Sequence, residues 1–216
     1  MSNSQRLFDL LQSGDEETLR QLVAEDPAAA NARDSSGVSL LMQAFYRGRR
    51  TLAEAIAARK SELDIFEAAT VGRLDTLQTL LQDSASARVF SADGFTALHF
   101  ACYFGQPEAA RLLLAAGAGP DAVAKNPMQV MPLHSAASSR NLEAARHLLD
   151  HGAPVNARQN GGFAAIHAAA QNGDLAFVEL LLKHGADPTA ASNDGQTPAM
   201  IARGKGHNDV AARLEG

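Results

Sequence analysis

Tryptophan is absent from this 216-residue chain, cysteine occurs once and tyrosine twice. One cysteine, Cys102, excludes an internal disulfide framework. Charge of one sign is also scarce: the net charge of -5 supplies no broad basic surface of the kind that neutralises phosphates, so a nucleic-acid partner is not expected. No apolar run approaches the roughly 18 residues of a membrane span, and no membrane association is expected. The opening stretch MSNSQRLFDLLQSGDEE has neither the basic nor the apolar region of an export signal, which makes a reducing cytoplasm the expected location. Gly-rich phosphate loops, nucleophile elbows and paired carboxylates with a shared pocket are missing too, and the chain is expected not to be an enzyme. With 46% hydrophobic and 20% charged residues, it is too apolar to be disordered.

What is present is repetition. The stretch from Asp93 to Asp121, DGFTALHFACYFGQPEAARLLLAAGAGPD, resembles one ankyrin repeat in its DGFTALH start and in the Leu112 to Leu114 run followed by Gly117. HGAPVNA and HGADPTA match the same family at their own offsets. Two landmarks extend the resemblance: the position of the family's helix-start histidine, and a residue six further on where a tight inter-helix turn favours Gly. Phe8/Gly14, Met42/Gly48, Phe66/Gly72, His99/Gly105, His134/Arg140, His167/Gly173 and Met200/Gly206 fit. The first landmarks are spaced 34, 24, 33, 35, 33 and 33 residues apart, on the ankyrin period of about 33 with one exception. Fourteen residues beyond each lies a branched aliphatic (Leu22, Ile56, Leu80, Leu113, Leu148, Leu181, Leu214), where a second helix would bury its stripe.

The resemblance implies an all-α, ankyrin-type solenoid of stacked helix-turn-helix repeats with short β-hairpin-like fingers, in a single domain over residues 1–216. Residues 1–33 read as an N-terminal capping helix pair, 34–90 as degenerate repeats, 91–190 as well-formed repeats and 191–216 as a C-terminal capping repeat. Because Met42 and Phe66 are only 24 residues apart, the finger between the second and third units should be missing and the row of fingers notched there. Ser61 and Asp64 form a candidate capping box for the helix that follows. The segment GPDAVAKNPMQV is two residues longer than the norm and lacks an Asp-Gly turn, so its finger should be irregular. Family membership would imply binding rather than catalysis.

His99, His134 and His167 recur at one repeat position, where the family's histidine bonds backbone and the capping hydroxyl; a metal ladder is not expected. His147 and His151, four apart on a helix, share a face, but a zinc site needs further ligands and no cysteine is near. No metal or cofactor is therefore expected. Cys102 stands where sibling units have Ala137 and Ala170, and reads as a buried spacer.

In ankyrin repeats the finger tips and the ends of the first helices face a concave groove, and these positions should carry the partner. The set expected to bind a protein or peptide is Tyr46, Arg47, Phe95, Tyr103, Phe104, Met128, Phe163, Gln171 and Asn172. Both tyrosines fall in it although aromatics are 5% of the chain, and exposed aromatics on a rigid scaffold are frequent hot spots. Each groove-facing ring is also a candidate for covering its neighbour. Self-association of the same patch is the alternative to a partner of another kind, with a monomer the preferred expectation and a small-ligand or metal role ranked behind both.

Overall fold

The computed structural model describes residues 3–216, so the first two residues of the expected N-terminal cap lie outside the described residues. The described residues form fourteen α-helices and no β-sheet. Seven antiparallel pairs follow in order: α1 (Asn3–Ser13) with α2 (Glu16–Glu25), α3 (Leu40–Tyr46) with α4 (Arg50–Ala57), and α5 (Ile65–Val71) with α6 (Leu74–Leu80). Then come α7 (Ala97–Tyr103) with α8 (Pro107–Ala115), α9 (Pro132–Ser138) with α10 (Leu142–Asp150), α11 (Ala165–Asn172) with α12 (Leu175–Lys183), and α13 (Pro198–Gly204) with α14 (Asn208–Glu215). The first helices α5, α7, α9, α11 and α13 stack in one layer, and the second helices α6, α8, α10, α12 and α14 stack behind them. This is the all-α repeat solenoid.

Local chemistry explains the elements. The residue six beyond each landmark has a left-handed backbone, and in the fifth unit Arg140 adopts it at φ 60° where the other units have glycine. Of the seven aliphatics fourteen beyond the landmarks, five are buried, while Leu22 and Leu80 are half-buried. Five fingers close as tight turns, for example with Gly94 N–H donating to Ser91 O and Gly195 N–H to Ser192 O. Four of them are laced together: Lys125 N–H donates to Gly94 O, Asn160 N–H to Met128 O and Asn193 N–H to Gly161 O. The approach is close enough that a Cβ on Gly94 would sit 2.6 Å from Lys125 O. The long finger is irregular as expected, with Gln129 held at φ 51°.

The finger between the second and third units is absent, as the short spacing implies. The cap that starts α5 is not Ser61 with Asp64, however. Asp64 Oδ1 accepts the Glu67 N–H at 2.9 Å, and Glu67 Oε2 accepts the Asp64 N–H at 3.1 Å. Asp64 holds Arg33 at 2.8 Å, and Lys60 Nζ lies 3.1 Å from Glu67 Oε1 with both side chains almost wholly buried. That contact is an ion pair rather than an aligned hydrogen bond. Nor does the row of fingers gape where a member is missing, because Gly37 comes up against Ala92 of the next finger.

The core is consequently in two parts. One cluster runs from Ile65 to Leu214. The other joins Leu7, Leu19, Leu41, Phe45, Leu52 and their neighbours to Phe100 of α7 and to Phe104 just past its end, and Leu63 and Phe66 touch both clusters. The backbones of α3 and α5, and of α4 and α6, make no extensive close contact; in the first-helix layer the rings of Phe45 and Phe66 reach those of Phe104 and Phe100 instead.

Candidate partner-binding groove

At this junction the first helices of the second and fourth units meet across the third. Phe45 packs edge-on to Phe104 at 5.0 Å between centroids, Phe66 edge-on to Phe100 at 6.0 Å, and Phe95 lies 5.6 Å from Phe100. Such arrangements match the quadrupoles of the rings. Arg50 caps the cluster, its guanidinium 5.7 Å from the Phe45 ring centre and donating to Phe104 O at 3.2 Å. The Tyr46 hydroxyl donates to Asp93, whose other oxygen accepts the Ser91 hydroxyl at 2.5 Å. Burial first, then the hydrogen bond and charge of Asp93, raise the Tyr46 phenol above its ordinary pKa, so it stays protonated.

Above this floor opens a groove of about 640 Å3, lined among others by Tyr46, Phe95, Tyr103, Phe104, Met128 and Val130. Its wall includes His99 and His134, which the fold uses as staples. His99 Nδ1 accepts the Thr96 N–H at 3.2 Å, and its Nε2 donates to Val130 O at 3.1 Å. His134 repeats the pattern, accepting from Met131 N at 3.1 Å and donating to Ala157 O at 3.0 Å. Each imidazole thereby ties its own helix start to the next finger. Burial pushes His99 down to about 4, outweighing its backbone hydrogen bonds, and lowers His134 and His167 likewise. The groove is therefore walled by neutral rings, with Arg50 and Asp93 its formal charges.

The nine residues expected to bind divide three ways. Tyr46, Phe95, Tyr103, Phe104 and Met128 share the groove. Tyr103 and Met128 are 52% and 56% exposed, whereas Phe104 is 8% exposed and serves as floor, because the missing finger lets Phe45 pack onto it. Phe163, Gln171 and Asn172 line a smaller depression of about 280 Å3 that shares His134, Ser138 and Gln159 with the main groove. Within it Asn172 is already engaged, its side chain donating to Ala137 O at 3.0 Å. Arg47 is apart from both and borders a polar hollow with Phe8, Asp34 and Gln43. Of the neighbouring arginines, Arg49 pairs with Glu16 at 3.0 Å.

Candidates for chemistry fall away on geometry. His151 Nδ1 donates to His147 O at 2.7 Å, so the pair does not converge. Cys102 is fully buried and its thiol is raised above its ordinary range by burial. Sequence reasoning missed Phe45, Phe66 and Phe100 as parts of the groove's foundation. All three occupy positions expected to pack, and only the 24-residue spacing signalled that Phe45 would reach past the third unit to Phe104.

No helix among the described residues is long and apolar enough to cross a membrane. Compared with known proteins, residues 65–159 and 133–214 match a family profile described as ankyrin repeats in three copies; the match begins at Ile65, the first residue of α5. The ankyrin repeat domain-containing protein SAT10 of Stachybotrys chartarum is 29% identical over 149 residues, 67% of this chain and 8% of that protein. The ankyrin repeat domain-containing protein oryK of Aspergillus oryzae is 42% identical over 57 residues, 26% of this chain and 9% of that protein. The E3 ubiquitin-protein ligase KEG of Arabidopsis thaliana is 30% identical over 171 residues, 69% of this chain and 10% of that protein. The chain thus spans no more than about a tenth of the length of these curated relatives. Stacked helix pairs, laced fingers, stapling histidines and a profile match across most of the sequence agree: the chain belongs to the ankyrin repeat family.

Proposed function

We propose that this chain is a protein-binding module, not an enzyme, that takes a segment of a partner protein into the groove between its second and fifth units. Ankyrin repeats are in general protein–protein interaction modules. The observation that carries the choice of face is the exposure of Tyr103 and Met128 over a fixed aromatic floor. Large side chains that leave water only when a partner arrives are the usual hot spots, and a floor that is already ordered lowers the entropy lost on binding. Phe95 and Tyr46 extend the contact, while Phe163 and Gln171 continue it into the adjoining depression. Arg47 offers a separate cationic contact to an acidic stretch of the partner. The module works as a monomer, and the cytoplasm is where we place it.

The test is capture of the partner from the native source, identification by mass spectrometry, and calorimetry of the purified pair with the wild type and a Tyr103→Ala/Met128→Ala variant. Both side chains are exposed, so the variant should melt as the wild type does and lose on the order of 2 kcal/mol or more of binding. Unchanged affinity in the folded variant contradicts the reading. Light scattering that shows mass growing with concentration, and suppressed in the same variant, would assign the groove to self-association instead.

A further inference from the structure

We propose that Glu108, Glu143 and His147 form a binding site for a divalent first-row transition ion, with zinc as the probe, on the outer helical layer away from the groove. Glu108 lies in the first turn of α8 and Glu143 in that of α10, and these two helices pack side by side. His147 follows Glu143 by four residues and so projects from the same face of α10. One ligand atom from each of the three lies within 4.8 Å of the others. An imidazole with two carboxylates suits such ions, and ligand atoms around a tetrahedral zinc are about 3.3 Å apart. Both glutamates are exposed, so their side chains are free to turn toward a shared ion.

Two observations separate this trio from an ordinary acidic surface. His147 Nε2 is buried and has no hydrogen-bond partner, a costly state unless something occupies the nitrogen's lone pair or proton. The position is also unusual by the chain's own repeat. Thirteen residues beyond the landmark histidine, the flanking units place Leu112 and Leu180, both packed into the core, and the fifth unit alone among the well-formed repeats puts an imidazole there. Arg111 holds one oxygen of Glu108 at 2.9 Å and leaves the other for a ligand. His151, turned onto its own helix carbonyl, is not part of the site. A bound ion would clamp the fourth unit to the fifth and leave its remaining coordination position to water.

Titration calorimetry of the intact chain with zinc tests the proposal. One ion per chain is expected. Since even groups that merely support a ligand are worth roughly 10–100-fold in affinity, Glu143→Gln should weaken binding at least that much, and His147→Leu should abolish it. His147→Leu restores the residue type of the neighbouring repeats, so it should melt no lower than the metal-free wild type. Zinc should raise the melting temperature of the wild type and of His151→Ala, and not that of His147→Leu. Absence of binding by the wild type, stoichiometric binding that survives His147→Leu, or binding lost in His151→Ala would overturn it.

Discussion

Between His99 and His167 the molecule is regular: each unit sits on the next, each finger hydrogen-bonds its neighbour, and the helices carry small residues such as Ala101, Ala136 and Ala169 at their contacts. Between Ala57 and Ile65 the regularity stops. Helices that elsewhere pack backbone to backbone are spaced apart there, and phenylalanines from three units occupy the space, with a buried ion pair standing behind them. The difference teaches that a repeat can lose its finger and keep its fold if larger side chains span the gap. The by-product is a junction with rings to spare, and the groove lies over it.

Breaking the ion pair should have the largest effect. Lys60→Met leaves the Glu67 carboxylate buried beside no cation and should cost about 3–5 kcal/mol, seen as a lower urea midpoint. Lys60→Met/Glu67→Gln removes the stranded charge, keeps the Asp64 cap and should recover most of that loss. A recovery of nothing would show that the pair acts through packing instead of charge.

Acid should attack the regular half. The unfolded His99 imidazole titrates near 6.5 and the folded one near 4, so between those values the unfolded chain binds more protons. Stability is complete above about pH 6.5 and falls as the pH drops toward 4, by on the order of 3 kcal/mol from His99. His134 and His167 shift in the same direction and add to it. Urea melts at pH 7.5 and 4.5 measure the slope, and His99→Gln should flatten it.

Gly94→Ala probes the lacing of fingers. A side chain there meets Lys125 O at 2.6 Å on a backbone of φ 86°, which should cost about 1–3 kcal/mol with little change in the second unit. The smallest effect is expected from Tyr46→Phe, which removes the hydroxyl donor to Asp93 at the rim of the junction and should lower stability by about 1 kcal/mol.

Much of this was legible beforehand. Seven units, their helix starts at the landmarks and the missing finger all follow from spacing and from residues such as Gly105 and Thr96, because each repeat obeys the same local rules. Which aromatics would be covered did not follow. The position of Phe104 faces a groove in a regular array, and here it is buried against Phe45 and Tyr46 of the second unit as well as its own neighbours Phe100 and Tyr103. The true cap of α5 was hidden for a similar reason: Asp64 with Glu67 and Ser61 with Asp64 share one spacing, and burial by Lys60 decides between them. His151, four residues after His147 and not expected to ligate a metal, turns onto its own helix carbonyl.

The central claim is that one chain holds two stacks joined at an aromatic junction, and native-state hydrogen exchange under rising urea tests it most directly. Stability in stacked repeats is carried by interfaces between neighbours, and the amides of a cooperative unit open together. The account predicts that α1 to α4 open as a group at lower urea than α7 to α12, with the boundary between Ala57 and Ile65. A single opening shared by all helices, with no step at that boundary, would contradict it.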